Sequence, residues 1–92
     1  MSEIDYASCT SADLRELDRL NIEMADVLIA RLQKRYPRTW KDFFPPHIAP
    51  TPDLFLAEAC GLETLEDVAS AATCVIIAMS AREELSTRKY PN

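Results

Sequence analysis

The side chains best able to do chemistry in this sequence are a set of arginines, one histidine, three cysteines and a short aromatic run. Arg15, Arg19, Arg31 and Arg35 fall along one predicted helix. Guanidinium groups bind carboxylates and phosphates in a fork, so Arg15, Arg19, Arg31 or Arg35 could hold an anionic ligand. His47 is the only histidine and stands among prolines. With no second imidazole to join it, neither a metal site nor a catalytic triad can be built around it, and it reads as a surface or cap residue. Cys9, Cys60 and Cys74 are widely spaced with no C-x-x-C pair, which argues against zinc and against a dithiol motif. No activating neighbour stands beside Cys60 or Cys74, so both read as small core residues. No phosphate loop or catalytic motif is present, and no cofactor is expected.

Composition narrows the classes further. Ninety-two residues form one domain with a modest core. A hydrophobic fraction of 48% with a single glycine reads as folded. A formal net charge of −5 argues against nucleic acid, because neutralising phosphates takes clustered Lys and Arg, and against anionic membrane surfaces. It suits a partner protein with a basic patch. The start, MSEIDYASC, has no basic segment followed by an apolar one, so no signal peptide is expected and a reducing cytoplasm is the default.

These side chains need elements to position them, and the organising one is Asp67 to Arg82. Val68, Ala72, Val75 and Met79 recur at helical spacing, Ala69, Ile76 and Ala78 widen the stripe, and Ile77 lies almost opposite. Ala69 to Ala81 is 13 residues, short of the roughly 20 that cross a bilayer, so a buried helix is expected rather than a membrane span. Its second side is either core or a contact with another chain.

Residues 1–10 read as a flexible tail and 11–89 as one helical domain, with helices over about 11–36, 52–60 and 64–88. Thr10 with Asp13 approximates a capping box for the first helix, and Pro37 ends it. Leu14, Leu17, Met24, Ala25, Leu28 and Leu32 form its main stripe. Leu20 and Val27 flank that stripe on one side, Ile22, Ile29 and Tyr36 on the other. Asn21 sits inside the stripe, either fixing a register with a partner or satisfied locally, and Arg31 lies near it. The connector 37–52 holds five of the six prolines. In it, Trp40, Phe43 and Phe44 share a face, as a plug for the open end of a helical hairpin or as an anchor patch for a partner. Thr51 and Pro52 are expected to start the middle helix and Gly61 to stop it, with Leu54, Phe55, Leu56, Ala59 and Cys60 mostly buried. Thr64 and Asp67 approximate a second capping box. Arg82, Arg88 and Lys89 are expected to favour the far end of the last helix.

Two short stretches resemble known families. Leu56 to Ala71 resembles a helix-turn-helix through Ala57, Gly61 and Leu62, but Asp67 falls where an apolar residue is usual, and Glu63, Glu66 and Asp67 repel phosphate. Leu14 to Arg31 resembles the first helix of the all-helical chorismate mutases through Leu17, Leu20, Leu28 and Arg31. Asn21 stands where that family has an Asp, and Pro37 cuts the helix short. This second resemblance implies a small helical enzyme acting on an anionic metabolite between subunits, using Arg15, Arg19, Arg31 or Arg35.

The sequence therefore predicts an all-α fold: a long antiparallel helical hairpin with a short middle helix and a proline- and aromatic-rich connector. Apolar flanks left over by that hairpin predict pairing into a homodimeric bundle. The leading functional expectation is a small acidic cytoplasmic interaction module. It would bind and mask another protein, such as a transcription regulator, without touching nucleic acid or membrane. Its contacts are expected from Leu20, Ile22, Val27, Ile29 and Ile77, with Trp40, Phe43 and Phe44 as a second patch.

Overall fold

The computed structural model describes residues 4–45 and 52–88. Among them are three α-helices and no strand: α1 (Ser11–Arg35), α2 (Leu54–Ala59) and α3 (Leu62–Ser86). The two 25-residue helices α1 and α3, each about 37 Å long at 1.5 Å per residue, lie against each other along their length. They run antiparallel, since Arg88 beyond the end of α3 bonds Ser11 at the start of α1 and Arg35 at the end of α1 meets Asp67 near the start of α3. His47, Ile48, Thr51 and Lys89 lie outside the described residues.

Local chemistry sets the helix ends. Thr10 and Asp13 form the expected capping box, with the Asp13 amide donating to the Thr10 hydroxyl at 3.0 Å and the Thr10 amide to the Asp13 carboxylate at 3.3 Å. The cap of α2 is Asp53, which accepts from the Leu56 amide at 3.0 Å. At Gly61 φ is +121°, a conformation in which any Cβ is strained. This one residue both stops α2 and caps α3, so α3 begins two residues earlier than the Thr64 start read from sequence. Thr64 and Asp67 are consequently inside the helix and buried, not capping it.

The core is narrower than the apolar pattern suggests. On α1, Leu14, Ala25, Leu28 and Leu32 are buried. Met24, expected among them, is exposed beside Leu20 and Val27. On α3 the buried apolar residues are Val68, Ala71, Ala72, Ala78 and Ala81, whereas Ile76 and Met79 are exposed. The reason is geometric. Alanines let the two helix axes approach closely, so the seam follows Ala71, Ala78 and Ala81, and the bulkier residues of the predicted stripe are turned to its sides.

At one end of the hairpin Leu32, Phe43, Ala57 and Val68 form a cluster, with Tyr36, Trp40, Phe44 and Leu65 packed around it. The Tyr36 and Phe43 rings meet edge to face at 5.4 Å, and the Asp53 amide donates to the Phe43 carbonyl at 2.8 Å, tying α2 to this end. Burying a side chain such as Phe43 contributes about 1.5–3 kcal/mol. The six residues of α2 give it less than two turns, enough to bury Ala57 alone. Leu54, Phe55, Leu56, Ala59 and Cys60, expected inside, are exposed.

Part of the expected tail is held to this body. Tyr6–Ser8 form a 3-10 turn, and Arg88 reaches back to donate to the Cys9 carbonyl at 2.8 Å and the Ser11 hydroxyl at 3.0 Å. Arg88 thus clasps the N-terminal segment in addition to its ion pair with Glu84 at 3.8 Å. Arg82 likewise bonds Asp18 on α1 at 2.7 Å rather than serving the end of its own helix.

Candidate interaction surface

The expected contact residues divide by how far the fold has already enclosed them. Leu20 and Val27 are exposed on α1 and stand with Met24 at i, i+4 and i+7 on one face. Ile22, Ile29, Trp40, Phe44 and Ile77 are half-buried. Phe43, at 1% exposure, belongs to the core cluster and presents nothing to a partner; of the aromatic run it is the residue that plugs the hairpin. The ion pairs Asp18–Arg82 and Arg35–Asp67 fix the hairpin's register, and in that register Met24 is level with Ile76. Exposed apolar side chains therefore sit at mid-length on both long helices.

A second exposed patch was not read from the sequence. Phe55 is 88% and Leu62 71% exposed. Phe55 is expected inside with the rest of the middle helix, and Leu62 carries no burial expectation of its own. For Phe55 the cue is the shortness of the segment between Pro52 and Gly61, too short to bury more than one edge; Leu62 is the first residue of α3, directly after the Gly61 cap.

The polar residues form a network between α1 and α3. Asp67, only 6% exposed, accepts from Arg35, and Arg31 approaches it at 3.4 Å. Glu63 adds contacts at 3.3 Å to Arg35 and 3.8 Å to Arg31. Next to it the Tyr36 and Thr64 hydroxyls share a hydrogen bond of 2.9 Å, and the Arg35 guanidinium stands 6.0 Å from the Tyr36 ring centre. Arg19 is bonded to Glu16 and, at 3.1 Å, to Glu23, which holds its pKa above the ordinary arginine value. Arg82 is raised in the same sense by its bond to Asp18. Arg15 is also engaged. Of the arginines singled out for an anionic ligand, Arg19, Arg31 and Arg35 are thus met by the protein's own carboxylates. Asn21 donates to the Leu17 carbonyl at 2.8 Å and is satisfied within its own helix.

No group of three or more His, Cys, Asp or Glu with the spacing of a metal site occurs among the described residues. The three cysteines are unpaired: Cys60 is exposed, contrary to its expected core position, while Cys9 and Cys74 are half-buried. Burial pushes the Cys74 thiol up from its ordinary value. By length and composition α3 is apolar enough to cross a membrane, a test that core helices also pass.

Comparison with protein-family models, curated proteins and solved structures finds no match for this chain.

Proposed function

We propose that this protein is a small acidic interaction module that binds another protein and covers part of that partner's surface. The observation that carries this reading is the outward placement of large apolar side chains on all three helices: Leu20, Met24 and Val27 on α1, Phe55 on α2, Leu62, Ile76 and Met79 on α3. Removing exposed apolar surface of this kind from water is the dominant favourable term in most protein association, and contiguous exposed apolar patches mark interaction sites. The net charge of −5 favours a partner with a basic margin, and a transcription regulator masked on its assembly surface is one such partner. A cytoplasmic location belongs to the same proposal. A core role for α3 is supported by its buried Asp67, paired to arginines of α1, and by the exposed charged residues Arg15, Glu16, Arg19, Glu23 and Asp26 of α1, which lipid would disfavour.

An enzyme holding an anionic metabolite has less support. Arg19, Arg31 and Arg35 are ion-paired within the chain, so a metabolite would have to displace carboxylates that are already in place.

The test is capture of partners from the native host by the wild-type chain, by Phe55→Asp/Leu62→Asp and by Leu20→Asp/Val27→Asp. All four positions are exposed, so each variant should keep its helical circular dichroism. We expect a partner that the wild type retains and at least one variant loses. Retention of the same partner by the quadruple variant would refute the proposal. Tight stabilisation of the wild type by one anionic metabolite and not its isomers in a thermal-shift screen would turn the reading toward the enzyme.

A further inference from the structure

We propose that the outer stripe of α1 seats a second copy of this chain, docked antiparallel about a two-fold axis that crosses the helix between Glu23 and Met24. The proposal goes beyond the interaction-module reading: it assigns the Leu20, Met24 and Val27 face to self-association and leaves the Phe55 and Leu62 face for a foreign partner. The starting observation is the exposed row of Leu20, Met24 and Val27. The second is the order of charge along the same face. Asp13 and Glu16 lie toward the N-terminal end of the row, Arg31 and Lys34 toward the C-terminal end, and all four are exposed. At 3.6 residues per turn these side chains occupy an arc of about 80–100°.

A two-fold interface is isologous: where residue i meets j, j also meets i. With the axis between residues 23 and 24, Asp13 meets Lys34, Glu16 meets Arg31 and Leu20 meets Val27, each pair occurring twice. The row is therefore complementary to itself when reversed. A parallel docking in register sets acid against acid and base against base at all four charged positions, which disfavours it. Glu23, the acid nearest the axis, is bonded to Arg19 at 3.1 Å, which offsets its repulsion of the Glu23 in the second copy. Arg31 contacts Asp67 at 3.4 Å with one of its nitrogens, and its five-donor fork with a half-exposed side chain retains donors for Glu16 of the other copy.

Sedimentation equilibrium of the purified full chain tests the pairing, and disulfide trapping tests its direction. We expect a monomer–dimer equilibrium that Lys34→Glu weakens by about tenfold or more, because the new carboxylate faces Asp13. Leu20→Asp/Val27→Asp should be monomeric with unchanged helicity. For trapping, Cys9, Cys60 and Cys74 are replaced by serine and the chain is oxidised with copper–phenanthroline. Met24→Cys should link to itself. Leu20→Cys and Val27→Cys should link to each other in a mixture and each only poorly to itself, since a disulfide needs Cα atoms within about 7 Å. A clean monomer up to high micromolar concentration, an unchanged dissociation constant for Lys34→Glu, or Leu20→Cys linking to itself in preference to Val27→Cys would each overturn the proposal. A monomer that still captures a partner through Phe55 and Leu62 removes the dimer alone and leaves the module reading in place. A dimer with no captured partner does the reverse.

Discussion

Breaking the contact between Arg35 and Asp67 is expected to destabilise the fold by about 2 kcal/mol, and the loss should depend on which partner is removed. Asp67 has 8% of its side chain exposed, whereas Arg35 keeps 30% and Arg31 52%. Replacing Asp67 by alanine leaves two guanidiniums that water still reaches, so the cost is mainly the lost charge-assisted hydrogen bonds, about 1–2 kcal/mol after allowance for solvent screening. Replacing Arg35 by methionine leaves a buried carboxylate supported by Arg31 alone at 3.4 Å. Stranding a buried charge costs about 3–5 kcal/mol when nothing compensates, and the remaining Arg31 contact brings that to about 2–3 kcal/mol. For a domain of this size 1 kcal/mol corresponds to about 4–8 °C in Tm, so Arg35→Met should melt roughly 10 °C or more below wild type and Asp67→Ala somewhat less. The double variant should fall short of the sum by about 1 kcal/mol or more. Urea unfolding of the four proteins, followed by circular dichroism at one protein concentration, measures the cycle. If the two losses add to within about 0.3–0.5 kcal/mol, or if Asp67→Ala is the more damaging, the placement of charge burial on Asp67 is wrong.

Three further outcomes follow from the packing. Tyr36→Phe removes the 2.9 Å bond to the Thr64 hydroxyl, which is 2% exposed, and should cost about 1 kcal/mol in the same urea assay. Ala78→Leu places a branched side chain where α1 and α3 touch, at a fully buried alanine; it should cost at least about 1–3 kcal/mol by overpacking, while Met79→Leu one residue along should change stability by less than about 0.5 kcal/mol. Burial raises the Cys74 thiol, so less of it is thiolate at any given pH below the raised value. Its alkylation at mildly alkaline pH should therefore lag behind that of the exposed Cys60, with the lag abolished in denaturant, as peptide mass spectrometry can follow.

The corrections to the helix interiors share one cause. Periodicity places a residue on a face, but how wide a face becomes buried depends on how near the neighbouring helix comes. Met24 and Met79 share stripes with core residues by spacing, yet both are exposed while the smaller Ala71, Ala78 and Ala81 are fully buried, as expected where small residues let two helices pack closely and longer side chains fall to the flanks. Thr64 and Asp67 have the residue types and spacing of a capping box, and a real one exists at Thr10 and Asp13. What separates them is Gly61, whose positive φ opens α3 earlier and carries the second pair into the interior. Arg31 was legible as a residue near the stripe, but its carboxylate partners were not, because they lie more than thirty positions away in the chain.

The sequence by itself determined the helical class, the place of the first cap and the stop at Pro37, and the apolar excess, because these depend on interactions within a few residues of one another. Only the tertiary structure decided which apolar side chains remain outside, that Asp67 is buried against arginines of the opposite helix, and that Arg88 clasps the N-terminal segment. Those outcomes depend on the distance and register between two long helices. That distance is set by small residues at the seam, whose effect no single helix's periodicity contains.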